Sequence, residues 1–519
     1  MFFPRNRRPG HTEDGRVEPR PRPRRSPGAS AATVTALVLI ASAARVEAVP
    51  LDEPNIGGIG FSGPTTGDLA ATYWNPAALG LIHGLQLTFA GTASYATTTV
   101  RRASIDPATG RPGAGLDFPK ATSQVSTQPF VWPPGPGAFA GVGYDVGGDR
   151  FSLAFATFMP YAEHTTYQST GDAPTRYHRI TADLRNLALV PALAVRLAGD
   201  LRLGFAPGFL FSTGHLSFDE PTCTAGSPCG AEDPTADARY DISSSSGLSS
   251  AKFAFTLGGG IYYRRRAWEF GLAFSSRPFG GDGPRPAGIS GVDTQVTRPA
   301  RDGGTPLTCM NGRADGRGCV FANLSYNLPF VFTAGATWHV RAGGELSGIA
   351  RVLSFPANDV IDVRIIGASL EAAGLPQHIT LYRGYETVYD LRLRYGQWLG
   401  EGLRVGGGVR VETSALPSGA ASPAAVDGLK VSPTVMILVR PVKHISISAG
   451  YGFTYMFDVT TTNSVFDPGA AMACEQTGRD LKSSSPCFTQ LAGKARPTAA
   501  GTYGNLRHDV SLSVTTQFF

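Results

Sequence analysis

The chain has 519 residues, 64 of them glycine and 39 proline, and only 17% are charged, below the roughly 25% usual for soluble domains. Mean hydropathy is −0.05 and no apolar run approaches the ~20 residues of a membrane-spanning helix, so this is not a helical membrane protein. Of the 46 basic residues nine lie in positions 1–48 beside four acids, leaving 37 basic against 36 acidic residues, a balance that gives no support for nucleic-acid binding.

The first 48 residues read as a signal peptide. Arginines at 5, 7, 8, 16, 20, 22, 24 and 25 precede AATVTALVLIASAA, Ala31–Ala44, and then VEA ending at Ala48. A basic stretch, a short apolar stretch and a small residue before the cut mark secretion. Arg24-Arg25 lacks the rest of a twin-arginine motif, which favours the general secretory route. Next comes GGIGFSGPTTGDLAATYWNPAALGL, in which Gly58–Gly63 match GxGxxG letter for letter. A dinucleotide site also requires a strand before the glycines, a helix after them and parallel βαβ units beyond. Pro50 and Pro54 break any such strand, and no βαβ units follow. What remains over 49–83 is flexible glycine, a short helical piece GDLAATYW and a rigid NPAAL ending.

From Leu85 onward apolar and polar residues alternate. In HISISAGYGFTYMF one face holds Ile445, Ile447, Ala449, Tyr451, Phe453, Tyr455 and Phe457, the other mostly small and polar residues. That period of two is a strand with one greasy side. Fourteen such segments follow: 85–100, 137–145, 150–160, 178–198, 200–218, 250–263, 266–276, 320–340, 344–355, 378–398, 401–414, 430–441, 443–457 and 505–519. Links between them alternate strictly between short ones, such as AGD and PVK, and long ones at 101–136, 159–177, 219–249, 277–319, 356–377, 415–429 and 458–504. Such parity predicts an all-β fold, a 14-stranded antiparallel up-and-down transmembrane β-barrel with tight turns toward the periplasm and long loops outside. A soluble sandwich shows no consistent parity of turns. Trp268, Trp338 and Trp398, with Tyr262 and Tyr263, lie near short turns and suggest an aromatic girdle.

Cys223, Cys229, Cys309, Cys319, Cys474 and Cys487 form three close pairs in long links. In an exported chain these suggest disulfides; without CxxC spacing or a neighbouring histidine they do not suggest a metal. Polar-face charges Arg202, Glu269, Arg351, Arg392, Arg394, Arg404, Arg410, Glu412 and Arg440 suggest a paired network in the lumen. His339 and His444 have no GxSxG or HExxH context, so no catalytic residue, cofactor or enzymatic activity is predicted. The terminus LSVTTQFF ends on Phe519, an aromatic residue of the kind on which outer-membrane barrels commonly finish, although Val510, Leu512, Val514 and Phe518 put the apolar face one residue out of register with it.

The run GIGFSGPTTGDLAATYWNPAALGLI resembles the N-terminal hatch of the FadL/TodX family of outer-membrane transporters for long-chain fatty acids and hydrocarbons. Asn75, Pro76 and Ala77 match its Asn-Pro-Ala motif, and Leu328-Pro329 followed by Gly335 resembles a second, weaker pattern. The resemblance implies a signal peptide over 1–48, a hatch over 49–83 plugging the lumen, and a barrel over 84–519 in the outer membrane of a Gram-negative cell. It further implies passive uptake of a hydrophobic small molecule: capture by extracellular loops, an apolar pocket inside the barrel, a shift of the hatch and sideways exit at a kinked third strand. Candidate capture residues are Phe130, Trp132, Phe158 and Tyr161. The third strand, RFSLAFATFMPY, has only Pro160 to break its pairing. The expected partners are the ligand, outer-membrane lipid and the barrel assembly machinery, with the protein a monomer. An adhesive or structural barrel and a lipid-active hydrolase are the alternatives.

Overall fold

The computed structural model describes residues 55–518 apart from 107–110, 113–119, 125–137, 147–149, 168–172, 222–231, 233–236, 245–251, 281–286, 299–304, 307–319, 341–342, 357–358, 367–369, 371–372, 374, 418 and 469–492. The leader, all six cysteines, Phe130, Trp132 and Phe519 lie outside the described residues.

Alternation in the sequence becomes a closed ring of fourteen antiparallel strands. These are β1 Leu85–Arg102, β2 Phe139–Val146, β3 Phe151–Thr166, β4 Thr181–Ala198, β5 Leu201–Glu220, β6 Lys252–Arg265 and β7 Trp268–Ser275. The circuit continues through β8 Phe330–Val340, β9 Gly344–Ser354, β10 Val388–Trp398, β11 Leu403–Glu412, β12 Lys430–Val442, β13 Ile445–Thr461 and β14 Gly501–Phe518. Each strand pairs with its predecessor, and β14 returns to β1 over their full length, from Leu85↔Phe518 to Arg102↔Gly501. Closure leaves no open edge, which a sheet in hydrocarbon requires because lipid cannot pair a free N–H or C=O. No helix among the described residues is long and apolar enough to cross a membrane.

The greasy sides point outward. Phe89, Leu153, Phe205, Leu391, Val435 and Val510 are each at least half exposed, whereas Gly450, Gly452, Thr454 and Met456 on the other side of β13 are buried. Of the aromatic residues near the short turns, Trp268, Trp338 and Tyr263 face outward. Tyr262 does not; it is fully buried and lies beside Arg202 in the lumen. Trp398 pairs in register with Arg404 and sits under Arg440, on the inner side of the rim. The alternation of 262 and 263 along one strand forbids both from joining one girdle.

Four long links carry strands that the sequence left as loops; in link 101–136, Lys120–Gln124 pairs with β1. Ala238–Ser243, Ala287–Arg298 and Val360–Ile366, with Val320–Tyr326 and His378–Tyr382, build a second tier above β5–β10. Val360–Ile366 is buried on both faces over its first four residues, so no polar–apolar rhythm announces it. Segments 320–340 and 378–398 are accordingly each two strands; the first breaks at Asn327–Pro329, where proline has no N–H to donate. Link 159–177 also shortens, because β3 runs on to Thr166.

Candidate functional site inside the barrel

Residues 55–83 lie against inward-facing side chains of the ring. After Asn55–Gly57 the chain makes one helical turn, α1 Ala71–Trp74, and one 3-10 helix, Pro76–Leu81. The Asn-Pro-Ala triplet is explained by this junction. Asn75 is fully buried; its Oδ1 accepts from the Ala77 N–H at 3.1 Å, and its Nδ2 donates to the carbonyls of Pro64 at 2.7 Å and Ile261 at 3.0 Å. It caps the helix that Pro76 starts, a position where a missing N–H costs nothing. Ala77 must be small and its neighbour smaller: a Cβ on Gly204 of β5 would overlap the Pro76–Ala77 backbone. A Cβ on Gly260 of β6 would likewise strike Asn75 Oδ1.

The glycines of GIGFSG serve a different purpose from phosphate binding. Gly58 and Gly60 adopt φ of 99° and 126°, open to glycine alone, and bring the backbone against the wall. Ile59 N–H donates to Ser511 Oγ at 2.7 Å, and Arg394 donates to the carbonyls of Gly60 and Ser62. Thr65 and Thr337 hydroxyls meet at 2.7 Å. Gly335, from the Leu-Pro…Gly pattern, lies under the Pro64 ring.

Two aromatic rings of α1 reach the wall, 5.1 Å from each other. Tyr73 meets Phe158 of β3 edge-on at 5.5 Å, while its hydroxyl accepts from Arg351 at 2.7 Å. Trp74 lies between two guanidiniums, Arg351 at 5.1 Å and Arg392 at 5.0 Å. These arginines belong to a ladder. Asp390, fully buried, holds Arg392 at 2.5 Å, Arg410 at 3.1 Å and Arg351 at 3.5 Å. Glu412 joins Arg410 to Lys430, which reaches Asp427 at 2.6 Å. Removing a buried partner from such a set leaves an unpaired charge.

The expected lumen network therefore includes Arg351, Arg392, Arg410 and Glu412, while Arg404 pairs with Glu345 and Arg440 stays exposed at the rim. Asp390, Lys430 and Asp427 were missed. Asp390 shares the parity of Arg392 and Arg394 in YDLRLRYG, which was the available signal. His339 lies 3.0 Å from Glu269, and among the described residues no cluster of metal-ligating side chains occurs.

A narrow cavity of about 50 Å³ lies between α1 and β3–β9, lined by Tyr73, Trp74, Phe158, Tyr161, Val190, Leu210 and Arg351. Phe158 and Tyr161 are strand residues, 3% and 5% exposed, and not part of an exposed loop. Between them the β3–β4 register shifts, a bulge at Met159–Pro160. The β2–β3 pairing ends at Phe158, and the β1–β2 pairing at Ala90. On the short-turn side of residues 55–83 lies a polar cavity of about 340 Å³ lined by His83, Glu269, His339, Glu345 and Arg404.

A family model described as outer membrane protein transport protein (OMPP1/FadL/TodX) matches residues 37–277. Over that stretch the chain is similar to this family. Proteins of the family so described are outer-membrane transport proteins and not enzymes. Solved structures share its fold at low identity. A FadL homologue of Pseudomonas aeruginosa is 12% identical with a TM-score of 0.64, covering 91% of this chain and 100% of its own. The Pseudomonas putida toluene transporter TodX is 12% identical with a TM-score of 0.58, covering 92% and 99%. The Ralstonia pickettii toluene transporter TbuX is 11% identical with a TM-score of 0.55, covering 91% and 99%. No curated protein matches the chain.

Proposed function

We propose that this protein takes up hydrophobic small molecules, long-chain fatty acids or hydrocarbons, and that residues 49–83 are a hatch gating their passage. The observation that carries the proposal is the cavity against Tyr73 and Trp74. Its apolar lining suits an apolar solute, and its 50 Å³ is far below the roughly 300–1,000 Å³ of a ligand pocket. The conformation is thus closed, and a ligand is admitted only if α1 moves. The Met159–Pro160 bulge touches the same cavity through Phe158, Pro160 and Tyr161. A solute leaving there passes sideways into the bilayer, which avoids the cost of carrying an apolar surface through water. The similar structures of toluene transporters agree with a hydrocarbon, and Arg351 at the edge of the cavity also suits an acidic head group.

A reversible lock tests the gate. The Thr65 and Thr337 hydroxyl oxygens are 2.7 Å apart, so cysteines there would tether the hatch to β8. In cells making T65C/T337C, uptake of labelled oleate and of toluene should fall on oxidation and return on reduction. Undiminished uptake with the crosslink formed rejects the gate; uptake no faster than in cells lacking the protein rejects transport.

A further inference from the structure

The turn between β6 and β7 departs from its counterparts at the same rim. Gly199, Gly343 and Gly400 take the left-handed backbone in the β4–β5, β8–β9 and β10–β11 turns, with φ of 54°, 82° and 80°. Between β6 and β7 that conformation falls to Arg266, at φ 55°, the one non-glycine residue with positive φ among the described residues. A side chain kept where glycine fits better points to use of that side chain.

Its neighbours indicate the use. Arg265 pairs in register with Trp268 and shares its outer face. Trp268 stacks on Trp338 at 5.8 Å, and Tyr263 is exposed on the same face. Arg264 has the opposite parity and lies 3.8 Å from Glu269 at the lumen mouth. Arg265 and Arg266 are exposed and make no ion pair among the described residues. Tryptophan and tyrosine of a barrel girdle sit at head-group depth, so Arg265 lies where lipid phosphates lie, and a guanidinium fork binds phosphate through paired N–H donors.

We propose that Arg265 and Arg266, floored by Tyr263 and Trp268, bind the phosphodiester head group of an anionic phospholipid in the leaflet at the short-turn end of the barrel. Two cations without a carboxylate favour a head group of net negative charge over a zwitterion. Sharing a face with the stacked tryptophans favours a lipid over a soluble phosphate.

The test uses the full chain in phosphatidylcholine nanodiscs carrying a minor fraction of brominated-chain lipid, with quenching of tryptophan fluorescence as readout. Brominated phosphatidylglycerol should quench more than the same fraction of brominated phosphatidylcholine. R265Q/R266G should abolish the excess, each arginine accounting for about a fivefold preference. Because glycine relieves the turn, this variant folds at least as well, and R264Q, altered on the lumen side, should keep the excess. Equal quenching by the two lipids in the unaltered chain, or an excess surviving in R265Q/R266G, overturns the proposal. Loss of the excess on adding inorganic phosphate, but not chloride at matched ionic strength, overturns it in favour of a soluble-phosphate site.

Discussion

Across the lumen from one another, β3–β6 and β9–β12 present different inner surfaces. Phe158, Tyr161, Val190 and Leu210 line the first, and Arg351, Asp390, Arg392, Arg410 and Glu412 line the second. Residues 55–83 touch both, and Tyr73 does so with a single side chain: its ring packs on Phe158 and its hydroxyl binds Arg351. Contacts of the first kind are non-directional and tolerate sliding. Those of the second kind are charge-assisted hydrogen bonds with fixed geometry. Of the two walls the second supplies most of the segment's polar holds, the Asn75 amide on the Ile261 carbonyl of β6 being the exception, and the cavity lies largely against the first.

The largest expected effect comes from breaking the second wall. Asp390→Ala strands three guanidiniums in a buried site and should cost about 3–5 kcal/mol, read as a lower thermal unfolding temperature of the folded barrel in detergent. On the first wall, Gly204→Val drives a side chain into the Pro76–Ala77 backbone. An overpacking cost of about 1–3 kcal/mol follows, and it should appear as faster proteolysis of residues 55–83 while the barrel stays intact. Trp74→Leu keeps an apolar side chain but gives up two guanidinium contacts. It should loosen the segment by roughly 0.5–2 kcal/mol in the same proteolysis assay. If Gly204→Val loosens the segment no more than Trp74→Leu, the distinction between the walls is lost.

The smallest effect is a pH dependence. Asp68 sits just before α1, and burial pushes its carboxyl up to about 6 from 3.8, with the Ser62 hydroxyl at 2.9 Å offsetting part of the shift. A carboxyl raised in the seated segment binds its proton more tightly there than when released. Seating is therefore unpenalised below the ordinary value and weakens as pH rises through about 6. Conductance across planar bilayers should be higher at about pH 7 than at about pH 4, and Asp68→Asn should flatten the difference.

Much of the fold was legible because its signal is local. Alternation in HISISAGYGFTYMF needs only the pleat, and the short–long rhythm of links needs only an up-and-down course. The motif Asn75-Pro76-Ala77 was likewise readable by its likeness to a family. Its reason was not, since the partners of Asn75 are Pro64 and Ile261, eleven and 186 residues away. Tyr262 and Trp398 were placed on the wrong face because nearness to a turn says nothing about side-chain parity.

By itself the sequence determined that this chain alternates, closes fourteen hairpin-linked strands and turns its apolar side outward, because each follows from a two-residue repeat and the hydrocarbon it must face. Only the tertiary structure decided which inward charges meet. Asp390, Arg351 and Arg410 lie on three strands, and which residues stand level across strands is set by the stagger of the closed ring, a property of no single segment. The same stagger selected Gly204 and Gly260 as the places where the wall yields to the N-terminal segment.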